Sequence, residues 1–407
     1  LLFSAADSLD LRNSKTFTAL QGLLADEEAK TLLSMFLLAS AQKNLSMCSF
    51  RLFGLQKPKE EEVWSTKVTK EDLENAVEDE FGVKYSKDWK RLLKAPAGLK
   101  GEYSIREGVK VIGNSAFEKC YSLTSINISN SVTNIGDKVF LRCTLLIKIN
   151  IPDSVTNIGD EVFDNCKSLT NINIPDSVTN IGDWTFLRCT FLTKINIPNS
   201  VTNIGDRTFN ECTSLTNINI PDSVTNIGDE AFSWCYSLTS IKIPNSVTNI
   251  GDEVFKDCSS LTSIKIPNSV TNIGNHAFEG CTSLTSINIP NSVTKIGDGA
   301  FRSCGSLISI NIPNSVTNIG DEVFDNCKSL TNINIPDSVT NIGDWTFLRC
   351  TFLTKINIPN SVTNIGDRTF NECTSLTNIN IPDSVTNIGY GAFLPANHSL
   401  RSVFRIV

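Results

Sequence analysis

The sequence predicts a repeat solenoid, on three observations. Glycines recur every 23 residues without a slip from Gly113 to Gly389. A phenylalanine follows each glycine by four residues, from Phe117 to Phe393, and a cysteine follows the phenylalanine by three, from Cys120 to Cys373. Each unit also carries an L-x-x-I-x-I core, clean in Leu169, Ile172 and Ile174. A strict period of roughly 20–29 residues with that core marks a leucine-rich-repeat solenoid, here of about thirteen coils over residues 103–407.

The cleanest unit runs from Ser154 to Asp176, SVTNIGDEVFDNCKSLTNINIPD. In the extended stretch, alternation turns Ile172 and Ile174 to one face and Asn171 and Asn173 to the other. Pro175 ends the strand, since it cannot donate to a ladder. Val178 and Ile181 form a second inward run, and the glycine (Gly159, then Gly182) makes the corner. Asp follows that glycine in ten of thirteen copies. It suits the N-cap of one short helical turn, from which Phe163 and Cys166, three apart, both face inward. A single coil cannot bury this apolar stripe; stacked coils bury it against each other. The expected architecture is a right-handed horseshoe with a parallel sheet on its concave face and short helical turns or β-structure on the convex side.

Composition narrows the function classes. The 407 residues carry a net charge of −7 and a pI near 5.1, against the basic surplus of a general nucleic-acid binder. Twelve of thirteen cysteines occupy one repeat position, with Cys48 outside it. Stacked neighbours would hold nearly parallel Cβ vectors about 4.8 Å apart, whereas a disulfide wants converging vectors at roughly 3.5–4.5 Å. The column reads as reduced, buried thiols, and single cysteines in a ladder do not make a metal site.

Three segments flank the array. Residues 1–81 read as a helical N-terminal segment with a linker at Gln56–Glu62. Within it, Asp26–Gln42 is either an ordinary helix or a signal-like stretch: Lys30, an apolar run, then Ala39-Ser40-Ala41. Its apolar part is too short to span a bilayer. Thr69–Phe81 reads as a helix. Residues 82–102 read as a capping hairpin, Val83–Ser86 against Arg91–Leu93, covering the first exposed strand edge. Tyr103, Ile105, Val109 and Ile112 already fall at repeat positions. At the far end Asp gives way to Tyr390 and Cys to Ala396, and Val403 and Ile406 suggest a last partial strand. Ser154–Gly228 and Ser315–Gly389 are identical at an offset of 161, seven times 23. This is a block duplication that keeps register.

The motif S-V-T-x-I-G-x-x-[AV]-F-x-x-C-x-S-L-T-x-I-x-I-P resembles the BspA-like leucine-rich-repeat family over about residues 103–404. The resemblance implies a surface or secreted adhesion protein that binds host matrix proteins or the surface proteins of other microbes.

No nucleophile elbow, P-loop or dinucleotide fingerprint appears. The two histidines, His276 and His398, fall far apart and read as surface residues; the carboxylates read as turn caps rather than facing pairs. The expectation is no enzyme, no cofactor, no metal and no transmembrane segment, in a monomer. The strand face is more informative. Two outward columns, two and four residues after the strand leucine, contain Lys148, Asn171, Lys194 and Lys355 in the first and Asn173, Asn196, Lys242 and Lys265 in the second, with no acid in either. Two accounts stay open: a polar ladder that solvates an exposed sheet, or a mildly basic face for acidic glycans or proteins. Both columns lack aromatics, and Trp184, Trp234 and Trp345 fall near the turns. The leading reading is extracellular binding or adhesion through many weak contacts; the alternative is an intracellular scaffold or effector.

Overall fold

Each coil of the computed structural model contributes a short strand, or at Lys265 and Asn380 a single bridge, to a front stack and a short strand to a back stack of parallel strands. The structure describes residues 64–394 except Asn378. The helix, signal-like stretch and linker expected before residue 64, Cys48, His398 and the strand expected near Val403 lie outside the described residues.

The front stack holds the L-x-x-I-x-I strands, and its register is a strict 23. Asn171 pairs with Lys194, Ile172 with Ile195 and Asn173 with Asn196. Seven coils on, Asn332, Ile333 and Asn334 pair with Lys355, Ile356 and Asn357 in the same way. The back stack is built from two-residue strands such as Asn180–Ile181, which pairs with Asn203–Ile204. Between them the core is one continuous column in which Leu169, Phe163, Cys166 and Val178 are fully buried and Ile172 and Ile174 nearly so. Phenylalanine rings stack face to face from Phe117 to Phe393 with centroids 5.3–5.8 Å apart. The pair Phe163 and Phe186 is typical at 5.3 Å and 9°.

The twelve repeat cysteines are free and buried. From Cys143 onward each thiol donates to the carbonyl of the phenylalanine 26 residues earlier, as Cys166 Sγ does to Phe140 O at 3.1 Å, while Cys120 donates to Pro96 O. Burial pushes these thiols up, to about 11 for Cys120 and about 12 for Cys235. They are therefore protonated at neutral pH and poor nucleophiles.

The expected helical turn between glycine and cysteine does not form. Glu161 and Asn165 have φ of 56° and 61°, which breaks any right-handed helix between them. Their N–H groups, with that of Phe163, donate forward to Asp183, Thr185 and Leu187 of the next coil at 2.7–2.9 Å. One isolated helical turn would leave most of its backbone groups unpaired, and stacking gives them partners. The aspartate likewise does not cap its own turn. Asp137 Oδ1 accepts the backbone N–H of Asp160 at 3.1 Å, and Asp160 Oδ1 that of Asp183 at 3.0 Å. Gly159 is needed for that contact: a Cβ there would lie 2.4 Å from Asp137 Oδ1 and 2.7 Å from its backbone nitrogen.

The N-terminal helix is also shorter than Thr69–Phe81. It is α1 (Lys70–Glu74), closed by a capping box between Thr69 and Asp72. The chain then turns into β1 (Val77–Glu78), which pairs antiparallel with β2 (Lys84–Tyr85). Asp79 supplies the reason: Oδ1 accepts the N–H groups of Phe81 and Val83, both at 2.9 Å, and Gly82 sits at φ 76°. Together they impose a tight turn. The expected hairpin is present, with β2 against β3 (Arg91–Lys94). Yet β3 pairs in parallel with β5 (Val111–Ile112), so the hairpin extends the back stack. The front stack begins at β4 (Lys100–Ser104), paired to β6 (Ser122–Asn127). Tyr103 ends the phenylalanine column, its hydroxyl donating to Asp79 Oδ2 at 2.6 Å.

Two outcomes follow from coils that pair only with neighbours. Deleting Ser154–Asn314 removes seven periods and rejoins Asp153 to Ser315; the shorter chain should melt cooperatively by circular dichroism, whereas a ten-residue deletion from the same stretch should break the stack and lose the single cooperative transition. Thiol labelling of the native protein should be slow at the repeat cysteines and complete after denaturation; rapid native labelling would contradict the buried column.

Candidate functional site

Alternation in the front strands exposes one set of side chains in rows. Lys148, Asn171, Asn173, Lys194, Asn196, Lys242, Lys265 and Lys355 are all exposed. Parallel register brings Lys194 beside Asn171, Lys355 beside Asn332 and Lys242 beside Lys265. The amides also link coils: Asn196 Nδ2 donates to Asn173 Oδ1 at 3.2 Å. Gly159, Phe163, Cys166, Leu169, Ile172 and Ile174 lie behind this surface and only hold its spacing.

The acid-free zone is wider than the two columns. The seven residues after each repeat cysteine, TFLTKIN after Cys189 for example, contain no acid in any of the twelve coils and seven lysines in all. The column-based reading missed Lys167 and Lys328, which approach the strand from its leading corner. It also missed the aromatics at that corner: Phe191 and Phe352 are 59% and 60% exposed, and Tyr121 and Tyr236 are exposed beside the same rows. Their signal was a departure from the consensus, Phe where most coils place Ser.

The lysines are not equivalent. Lys242 Nζ lies 3.0 Å from Asp222 Oδ1, an aspartate at the trailing corner of the preceding coil. Asp also stands at that corner in Asp153 and Asp176, while Asn245 and Asn268 hold it later. The adjacent charges of Lys242 and Lys265 are therefore partly offset. Among the described residues no ion pair engages Lys148, Lys167, Lys194, Lys328 or Lys355.

The turn edge is of another kind. Its charges pair across coils: Lys138 with Glu161 at 3.1 Å, Arg188 with Glu211 at 2.9 Å, and Arg302 with Glu322 at 2.9 Å. Trp184 is part-exposed under the Arg207 guanidinium at 5.8 Å, so it packs between coils. His276 is not a plain surface residue: its ring is half-buried, with Nδ1 3.1 Å from Glu279 Oε2, under Gly299, whose Cβ would meet the ring at 2.3 Å. Carboxylates stack from coil to coil here, and they act on one another. Burial and the neighbouring Asp183 and Asp137 raise the Asp160 carboxyl above its ordinary value, against the lowering by its hydrogen bond from the Asp183 backbone. Among the described residues no group of His, Cys, Asp or Glu is arranged to hold a metal ion, and no helix is long and apolar enough to cross a membrane.

A family model for the BspA-type leucine-rich-repeat region matches residues 101–215, 185–307 and 294–404. The chain belongs to this family. Its solved relatives have the same fold. A leucine-rich cell surface protein from Faecalibacterium prausnitzii is 30% identical, with a TM-score of 0.53 over 80% of this chain and 96% of that one. A leucine-rich-repeat protein from Bacteroides ovatus is 32% identical, with a TM-score of 0.53 over 78% and 89%. One from Eubacterium ventriosum is 27% identical, at 0.52 over 72% and 82%. No curated protein sequence matches this chain.

In this BspA-type chain, carboxylates raised by burial make the turn edge pH-sensitive, and Asp164 is the clearest case. Asp164 Oδ1 is buried without a hydrogen-bond partner, and burial raises its carboxyl to about 6 despite Arg188 and Arg142. Between the ordinary value of 3.8 and about 6, the folded chain holds a proton that the unfolded chain releases. Ionised Asp164 therefore costs stability at pH 7, and the cost fades as pH falls through 6. Asp164→Asn should stabilise the protein at pH 7.5 by about 1 kcal/mol once solvent screening is discounted. The gain over parent should shrink toward pH 5 in paired thermal melts; a constant difference would assign the effect elsewhere.

Proposed function

We propose that this BspA-type repeat protein works outside the cell or at its surface as a non-enzymatic adhesion module, and that the front sheet is its binding face. The ligands are matrix or other surface proteins, or acidic glycans. The observation that carries this reading is the acid-free surface of twelve coils, rich in lysine, asparagine, serine and threonine, on a chain of net charge −7. Segregation of this kind leaves a local positive field within a Debye length of about 8 Å at physiological salt, while the turn edge neutralises its own charges. Repetition at about 4.8 Å per strand suits many weak contacts that add by avidity. The cell-surface description of the Faecalibacterium relative supports the extracellular placement.

The test replaces Lys148, Lys194, Lys242, Lys265 and Lys355 by Ser, which this face already carries at Ser240 and Ser263. Parent and variant are titrated against an array of matrix proteins and acidic glycans at low and high salt. The parent should bind with modest affinity that falls with salt, and the variant at least tenfold more weakly. Equal affinities with no salt dependence would sink the basic face.

A further inference from the structure

Resting on that reading, we infer that the front sheet carries two equivalent patches, seven coils apart, that together clasp one acidic polysaccharide chain. The first patch is Lys167, Phe191 and Lys194; the second is Lys328, Phe352 and Lys355. In each, the phenylalanine is tied by its backbone to a lysine of the preceding coil: Phe191 N–H donates to Lys167 O, and Phe352 N–H to Lys328 O, both at 3.2 Å. Three residues later, at the start of the following strand, comes the second lysine, Lys194 or Lys355, exposed like the first. No ion pair occupies any of the four lysines among the described residues, unlike Lys242, which Asp222 engages.

The exposure of these two phenylalanines needs a reason. The phenylalanine of every coil is spent on the buried column, where Phe186 and Phe347 are fully covered. Phe191 and Phe352 are additional, occupying a corner that most coils fill with Ser, such as Ser168 and Ser214. An exposed ring flanked by two cations, with no acid nearby, presents an apolar plane between anion-binding groups. The C–H face of a sugar ring packs on such a plane, while its carboxylate or sulfate meets the ammonium groups. Neighbouring Asn and Thr side chains both donate and accept, as sugar hydroxyls require. A folded protein would instead be expected to need a pocketed hot spot, which a plane of short polar side chains does not offer.

The spacing makes this a bivalent device. Seven strand steps of about 4.8 Å set the patches about 34 Å apart along the stack. A polymer that reaches both gains affinity through effective concentration, commonly by 10²–10⁴. One that reaches a single patch gains nothing. Since the two blocks are identical in sequence, the patches offer the same chemistry to a repeating chain.

The experiment titrates the whole protein with a heparin tetrasaccharide, too short to join the patches, and with a size-selected heparin chain that spans them. Parent, Phe191→Ser, Phe352→Ser and the double variant are compared, each checked by thermal melt. The long chain should bind parent about a hundredfold more tightly than the tetrasaccharide. Either single variant should lose that advantage while keeping tetrasaccharide binding at the intact patch, and the double variant should weaken tetrasaccharide binding several-fold. Equal binding of both lengths to parent would overturn the two-patch clasp; the front-sheet reading would survive it if the lysine variant still binds more weakly. Binding of polyglutamate or a matrix protein without heparin would overturn the polysaccharide assignment alone. Lysine variants that bind every probe like parent would overturn both readings.

Discussion

Every coil depends on the coil beside it for the partners that its own 23 residues cannot supply. The backbone N–H of Asp160 needs the carboxylate of Asp137, the thiol of Cys166 needs the carbonyl of Phe140, and the ring of Phe163 is covered by Phe140 and Phe186. These contacts join residues 23 or 26 apart, so a one-residue slip would misplace all of them together. This explains why the spacing is kept so strictly while exposed positions change freely. It also explains the left-handed residues in the turn: strain of roughly 1–3 kcal/mol at such a position is offset by backbone donors that find acceptors on the next coil.

The same rule divides the surface into two kinds. On the turn edge, long charged side chains reach across one coil spacing and neutralise each other. On the front sheet, short amides and hydroxyls bind their own neighbours, and among the described residues the lysines other than Lys242 form no ion pair. On the proposed reading a ligand would meet a face whose lysines are mostly unpaired, next to an edge whose charges are largely paired. Enzyme chemistry would call for convergent groups in a closed site, and a surface of equivalent rows is better suited to an extended partner.

The duplicated block shows how far local sequence determines local chemistry. Asp164 and Asp325 stand in identical stretches, and burial raises both carboxyls. Yet Asp325 has Arg302 at 3.3 Å from the preceding coil, where Asp164 has Leu141 at the equivalent place. Arg207 pairs with Glu230 at 2.5 Å, but the residue equivalent to Glu230 beside Arg368 is Gly391. Inside a block the patches repeat; at its margins the neighbouring coil sets the charge.

Periodicity by itself determined the coil count, the two strand runs, the inward Leu, Ile, Val, Phe and Cys, and the outward lysine and asparagine rows. Those features depend on spacing alone, because alternation and register turn a 23-residue period directly into faces. The hairpin near Trp89 was legible too, from two apolar runs around a polar turn. Tertiary structure decided what depends on the neighbour: that the aspartate serves the next coil instead of capping a helix, that the hairpin extends the back stack, and that Asp222 reaches Lys242. It also showed that Phe191 and Phe352 remain exposed beside Lys167 and Lys328. A sequence states which residues share a coil; only the stack brings residues from adjacent coils within hydrogen-bonding reach, and in this protein those contacts decide the chemistry.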